Sequence, residues 1–274
     1  MNTFDFQRRT PLVMGILNVT PDSFFDGGQF EHLDQAVHRG RQMKEEGADI
    51  LDIGGESTRP GSHPVSVEEE LRRVIPVVSE LSQLGVPLSI DTSKPEVARQ
   101  AMESGATIIN DVTGLRNPEM IQVAAESGAT VCIMHMLGVP RTMQSNPLYG
   151  DVVRDVCEYL RHASERAMEG GVSSERIWVD PGIGFGKTVA QNVELIRRLS
   201  EIAQLGFPIL IGVSRKSFLG KILGSEENPA PVDQRLEASL LMQSLAQMNG
   251  AKIIRTHDVI ETVRSARAMA AYGS

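Results

Sequence analysis

Short apolar runs recur along the whole chain, at residues 12–17, 50–53, 86–90, 107–109, 130–134, 177–179, 208–213 and 251–254. Each is continuous rather than alternating, the pattern of parallel strands buried on both faces. Between most of them lie amphipathic stretches with helical spacing and legible ends. Ser66-Val-Glu-Glu69 and Ser93-Lys-Pro-Glu96 have the form of capping boxes. Asn117-Pro118 reads as an N-cap followed by proline in the first helical position. Gly47, Gly85, Gly105, Gly128 and Gly250 fall where helices should stop. Strands alternating with helices, without a long linker or a low-complexity tract, predict an α/β fold, a single (β/α)8 TIM barrel domain over residues 1–274. A doubly wound open sheet is the alternative that periodicity leaves open.

A second regularity concerns how the runs end. Asn18, Asp52, Asp91, Asn110, His135, Asp180, Ser214 and Arg255 each close one of them. In a barrel these ends share the C-terminal rim, where catalytic loops gather. Strand ends are often polar merely because loops are solvated, but so many together, with glycine- and proline-rich loops beyond, point to a site.

Composition narrows the classes. The chain has 274 residues, 41% hydrophobic and 23% charged, with a formal net charge of −8, which argues against nucleic acid as a partner. An anionic substrate then requires a local cationic pocket. The N-terminal stretch lacks the apolar core of a secretion signal, and no run approaches the roughly 18 apolar residues of a membrane span. Cys132 and Cys157 have no paired spacing, which fits a reducing cytoplasm, and the six histidines show no zinc spacing.

Three stretches carry candidate chemistry. In Ile177-Trp-Val-Asp-Pro-Gly-Ile-Gly-Phe-Gly-Lys187 an apolar run delivers Asp180 into a glycine-rich loop. Gly186-Lys187-Thr188 imitates the end of a phosphate-binding loop, but that motif needs glycine at position 181, where proline stands. The better reading is a carboxylate on a pocket floor, with glycines letting something flat approach. The loop over residues 15–28 is long, glycine-rich and carries Phe24 and Phe25, as a segment closing over a ligand would. The loop over residues 54–62 offers Arg59, whose planar fork suits a carboxylate or a phosphate. Both loops are the segments expected to be mobile without ligand.

These stretches, together with Ile90-Asp-Thr-Ser-Lys-Pro95, Ile109-Asn-Asp111, Met134-His-Met136, Ser214-Arg-Lys-Ser217 and Ile254-Arg-Thr-His-Asp258, resemble the dihydropteroate synthase family. The likeness runs from about residue 12 to 265, with the motifs in the family's order. It implies a (β/α)8 barrel that joins 6-hydroxymethyl-7,8-dihydropterin diphosphate to 4-aminobenzoate, with magnesium accompanying the diphosphate. By this resemblance Asp180, Asp91, Asn110 and Lys216 bond the pterin ring, and Val112, Met134 and Phe185 pack it. Phe24, Thr58, Arg59, Pro60, Phe185 and Ser217 would form the 4-aminobenzoate pocket. Asn18, Thr58, Arg59, Arg255 and His257 would hold the diphosphate, Asn18 also serving the metal.

The chemistry of these residue types agrees. A pterin edge presents paired N–H donors that one carboxylate can accept, and asparagine supplies both donor and acceptor. A departing diphosphate needs cations where its charge develops. Arg255 and His257, two apart in a strand, share one face. The expected course is early loss of diphosphate, then attack of the arylamine on the pterin methylene, without a covalent enzyme intermediate. Lys216 has a competing use, a Schiff base as in barrel aldolases. Lys187 acquires no role. Phe25 stands where members commonly have serine, which bears on the binding of sulfonamides, the ligands expected to compete with 4-aminobenzoate. Rival readings are a methyltetrahydrofolate-type methyltransferase and a non-catalytic pterin-binding paralog. The family also implies a homodimer.

Overall fold

Residues 4–20, 29–57, 64–138 and 148–273 are described in the computed structural model, the side chains of 29–31 excepted. Phe24, Phe25, Thr58, Arg59 and Pro60, all expected in the loops over the site, lie outside the described residues.

Eight strands form where the apolar runs predict them. They are β1 (Leu12–Asn18), β2 (Ile50–Gly54), β3 (Leu88–Asp91), β4 (Ile108–Asp111), β5 (Thr130–Met134), β6 (Ile177–Asp180), β7 (Leu210–Gly212) and β8 (Ile253–Thr256). All pair in parallel in the order β6-β5-β4-β3-β2-β1-β8-β7, and the remaining seam is joined by one parallel bridge, Val179 to Ile209. The result is a (β/α)8 barrel rather than an open doubly wound sheet.

The connecting helices are α1 (Gln29–Glu46), α2 (Val67–Ser82), α3 (Pro95–Glu103), α4 (Pro118–Ser127), α5 (Val152–Glu169), α6 (Val189–Arg197), α7 (Leu199–Ala203), α8 (Ser217–Leu223), α9 (Leu236–Met248) and α10 (Val259–Tyr272). Ser66 caps α2 by accepting the Glu69 amide at 3.2 Å, and Asn117 caps α4 through the Glu119 amide at 3.0 Å. Ser93 does not cap α3. That helix starts one residue later, with Lys94 as the cap residue and Pro95 behind it, and the Thr92 hydroxyl takes the Lys94 amide instead. Proline fixes the first helical φ and so sets the boundary without a side-chain cap. A full capping box is present at α6, between Thr188 and Gln191.

Period-two alternation divides the barrel interior into layers. Leu12, Met14, Ile50, Ile108, Cys132, Trp178, Leu210 and Ile253 form one buried apolar cluster. Phe4 and Phe6 close it from below, meeting the Trp178 ring edge-on at 4.9 and 6.0 Å between centroids. Two residues further along the same strands stand Asp52, Asn110, Met134, Asp180 and Arg255. The sealed floor therefore supports a layer of polar groups, and that layer is the site.

Candidate active site

The polar layer is organised around Arg255, whose guanidinium reaches across the barrel mouth. Its Nε donates to Asp52 Oδ2 and its Nη2 to Asp91 Oδ2, both at 2.6 Å. Asn110 Nδ2 donates to the same Asp52 oxygen at 3.2 Å. Four strands, β2, β3, β4 and β8, are thus tied through one carboxylate and one arginine. Asp52 is the residue that sequence reasoning missed: it was visible as a polar strand end, but its pairing with Arg255 spans 203 positions. Its Oδ1 is buried without a hydrogen-bond partner among the described residues.

The electrostatics follow from burial. Asp91 is pushed up to about 7 by loss of hydration, with the Arg255 charge opposing and Asp52, Glu70 and Asp111 reinforcing the rise. Arg255 itself is held above its ordinary value: burial lowers it, but Asp52 and Asp91 more than compensate. Asp180 is likewise raised by burial, against Lys216 and the Gly182 amide, which donates to its Oδ1 at 2.7 Å. Beside this layer Lys94 bridges Glu56 and the fully buried Glu70. Glu56 Oε1 also accepts the Val65 amide at 3.2 Å, so this carboxylate braces both sides of the loop after β2.

Val112, Met134 and Phe185, the residues expected to pack a ring, lie together. Val112, Met134 and Met136 form a small buried cluster with Phe185 packed against it. Lys216 Nζ sits 4.5 Å from the Phe185 ring centroid and also donates to the Ile183 carbonyl. Burial lowers Lys216 to about 8, in spite of the nearby Asp180 charge. Lys216 is delivered by a turn in which Arg215 has φ 57°, a left-handed conformation that costs on the order of 1 kcal/mol in a non-glycine residue. Three contacts hold that turn: Arg215 pairs with Asp258, Ser239 Oγ accepts the Arg215 amide, and Arg235 donates to the Arg215 carbonyl.

His257 lies just beyond β8. Its Nδ1 is 3.0 Å from Ser214 Oγ, and the same oxygen accepts the His257 amide at 3.1 Å. Because that oxygen already accepts the His257 amide, its own hydrogen is available to Nδ1. Asn18 ends β1 opposite Gly54, which in turn pairs with Asp91. Ser217 is exposed at the start of α8, next to Lys216. Every proposed pterin residue and the described diphosphate residues therefore occupy one rim. Of the 4-aminobenzoate set, Phe185 and Ser217 fall in the described part.

Lys187 is in a place its motif did not predict. It is buried rather than rim-exposed, and its ammonium contacts Gly182 O and Phe185 O at 2.9 Å and His135 Nδ1 at 3.0 Å.

Comparisons with known proteins agree with this geometry. The family model for pterin binding enzymes matches residues 14–257. Dihydropteroate synthase of Escherichia coli (strain K12) is 49% identical over 262 residues, covering 95% of this chain and 91% of its own. The crystal structure of Yersinia pestis dihydropteroate synthase with a sulfonamide drug superposes with a TM-score of 0.91 at 45% identity, covering 99% of this chain and 96% of that one. Xanthomonas albilineans dihydropteroate synthase with 4-aminobenzoic acid gives a TM-score of 0.89 at 45% identity, covering 97% and 94%. A barrel whose rim carries these residues, alike over nearly its whole length to these proteins, belongs to the dihydropteroate synthase family of pterin-binding enzymes.

Proposed function

We propose that this chain condenses 6-hydroxymethyl-7,8-dihydropterin diphosphate with 4-aminobenzoate to give 7,8-dihydropteroate and diphosphate. The observation that carries the reading is the half-buried Arg255, fixed by Asp52 and Asp91 directly beside the groups suited to a pterin edge. One cation, held in place before substrate arrives, thereby borders both the ring and the departing charge, as preorganised electrostatic catalysis requires.

In this mechanism the ring lies on Met134 and Val112 beneath Phe185. Asp180 accepts its paired N–H donors, Asp91 and Asn110 complete its hydrogen bonds, and Lys216 donates to its edge. The C–O bond to diphosphate breaks first, its electron pair leaving with the phosphate oxygen. Arg255 Nη1, which takes no part in the two carboxylate pairs, and His257 Nε2 face the charge that develops. The neutral amine of 4-aminobenzoate then attacks the pterin methylene, and its proton passes to diphosphate or water. Ser217, with Thr58, Arg59, Pro60 and Phe24, would receive the second substrate. The complexes of relatives with 4-aminobenzoic acid and with a sulfonamide drug support 4-aminobenzoate as the second substrate.

Magnesium fits the described donor set through Asn18. Among the described residues no three His, Cys, Asp or Glu side chains are grouped to cage an ion. Asn18 provides a neutral oxygen at the rim, so the ion would be held by that oxygen and by the substrate's own phosphates. When bound, it neutralises phosphate charge. No helix among the described residues is long and apolar enough to cross a membrane. A cytoplasmic homodimer belongs to the same reading. The test is Arg255→Ala combined with a magnesium titration. Diphosphate release is expected to fall by about 100-fold or more, and release that survives both changes would show the leaving-group assignment to be wrong.

A further inference from the structure

Lys187 is a buried lysine that the mechanism above does not use; burial lowers it to about 7, against the Asp180 charge. An ammonium has three hydrogens and no acceptor. Here it meets three acceptors, Gly182 O, Phe185 O and His135 Nδ1, at 2.9, 2.9 and 3.0 Å. The match leaves no hydrogen for a substrate phosphate and no lone pair for a carbonyl carbon. What the contacts join is informative. Gly182 lends its amide to Asp180 Oδ1, and Phe185 carries the ring that packs on Val112, Met134 and Met136. His135 follows β5, and its own amide donates to the Asp180 carbonyl at 2.9 Å.

We propose that Lys187 is a positioning residue for the pterin pocket: by gathering Gly182, Phe185 and His135 onto one ammonium it sets the spacing between the Asp180 carboxylate and the Phe185 ring. The inference rests on the pterin reading of this site.

Supporting contacts surround it. Gly182 has φ 68°, and a Cβ there would stand 1.8 Å from the His135 carbonyl oxygen, so the loop is pressed directly onto β5. Tyr149 Oη donates to Gly186 O at 2.9 Å, and Asn192 Oδ1 accepts the Gly184 amide at 2.7 Å. Lys216 takes Ile183 O. The carbonyls of Gly182, Ile183, Phe185 and Gly186 are thus all engaged by side chains. The His135 ring must accept at Nδ1, which requires the neutral form. Burial and the Lys187 and Arg116 charges lower it to about 2, so it stays neutral.

The test measures binding of pteroic acid and, separately, of magnesium diphosphate by calorimetry. Lys187→Met is expected to weaken pteroic acid about 10-fold while diphosphate affinity stays within about twofold. His135→Leu, which removes one acceptor, should weaken pteroic acid about threefold, and His135→Gln, which supplies an oxygen, should recover most of the loss. Unchanged pteroic acid affinity in folded Lys187→Met, or equal loss for both ligands, would overturn the proposal. Should Lys187→Met not fold, the histidine pair decides: equal behaviour of Leu and Gln would overturn it. Wild-type protein that bound no pteroic acid would refute the pterin reading itself, a distinct outcome.

Discussion

Replacing Asp52 by asparagine separates the two jobs that its carboxylate performs. Asp52 Oδ2 anchors both Arg255 Nε and Asn110 Nδ2, and its charge raises Asp91. Truncating one partner of a buried ion pair costs about 3–5 kcal/mol. Asparagine keeps one acceptor oxygen in the same place, so a loss of about 2 kcal/mol in urea unfolding is expected. The second effect is electrostatic. Asp52 and Asp91 sit on two nitrogens of one guanidinium, roughly 5 Å apart, and at an effective dielectric near 20 their repulsion is worth about 1–3 kcal/mol. Converted at about 1.4 kcal/mol per pH unit, removing it should lower Asp91 from about 7 by about one to two pH units. Arg255, released from Asp52, pulls in the same direction. Asp91 must be ionised to accept from the pterin ring, so the acid limb of kcat/KM should lie near pH 7 in the wild type and shift downward in Asp52→Asn. The assay is dihydropteroate formation between about pH 5 and 9, with overall kcat/KM reduced about 10- to 100-fold. An acid limb that stays in place or moves upward would refute the electrostatic reasoning.

Three further outcomes are expected. Lys216 loses its proton as pH rises through about 8, so kcat/KM should fall on the alkaline side; because the folded state disfavours protonated Lys216, stability should rise there, and chemical denaturation would separate the two. Gly182→Ala, which sets a Cβ 1.8 Å from His135 O at φ 68°, should destabilise by about 3 kcal/mol or more and weaken pterin binding, both readable by thermal melts with and without pteroic acid. Trp178→Ala, in the sealed barrel floor, should cost about 3–5 kcal/mol by urea unfolding while leaving KM nearly unchanged if the protein is kept folded.

What could be read from the chain was local. Strand positions followed from continuous apolar runs, and the caps at Ser66 and Asn117 from two- and three-residue spacings. The rim residues were legible because each stands at or near the C-terminal end of an apolar run. Strand alternation suggested a shared side for Arg255 and His257, but β8 ends at Thr256 and the Ser214 contacts, not the pleat, hold His257. The remainder was set by distance through space. Nothing near Asp52 announces a guanidinium 203 residues away, and nothing near Lys94 announces Glu56 and a buried Glu70. Lys187 misled because a phosphate-loop ending and a buried anchor share the same local sequence; only the fold brings His135, 52 positions earlier, to its ammonium. At Ser93 two local signals competed, and proline geometry at position 95 prevailed over the serine. The plug of Phe4 and Phe6 under Trp178 is likewise a contact between the chain's start and its sixth strand.

The central claim is the joining reaction itself. Purified protein incubated with 6-hydroxymethyl-7,8-dihydropterin diphosphate, 4-aminobenzoate and magnesium should yield 7,8-dihydropteroate and diphosphate in equal amounts, with a sulfonamide competing against 4-aminobenzoate. Folded protein that binds the pterin substrate yet forms no dihydropteroate would contradict the account.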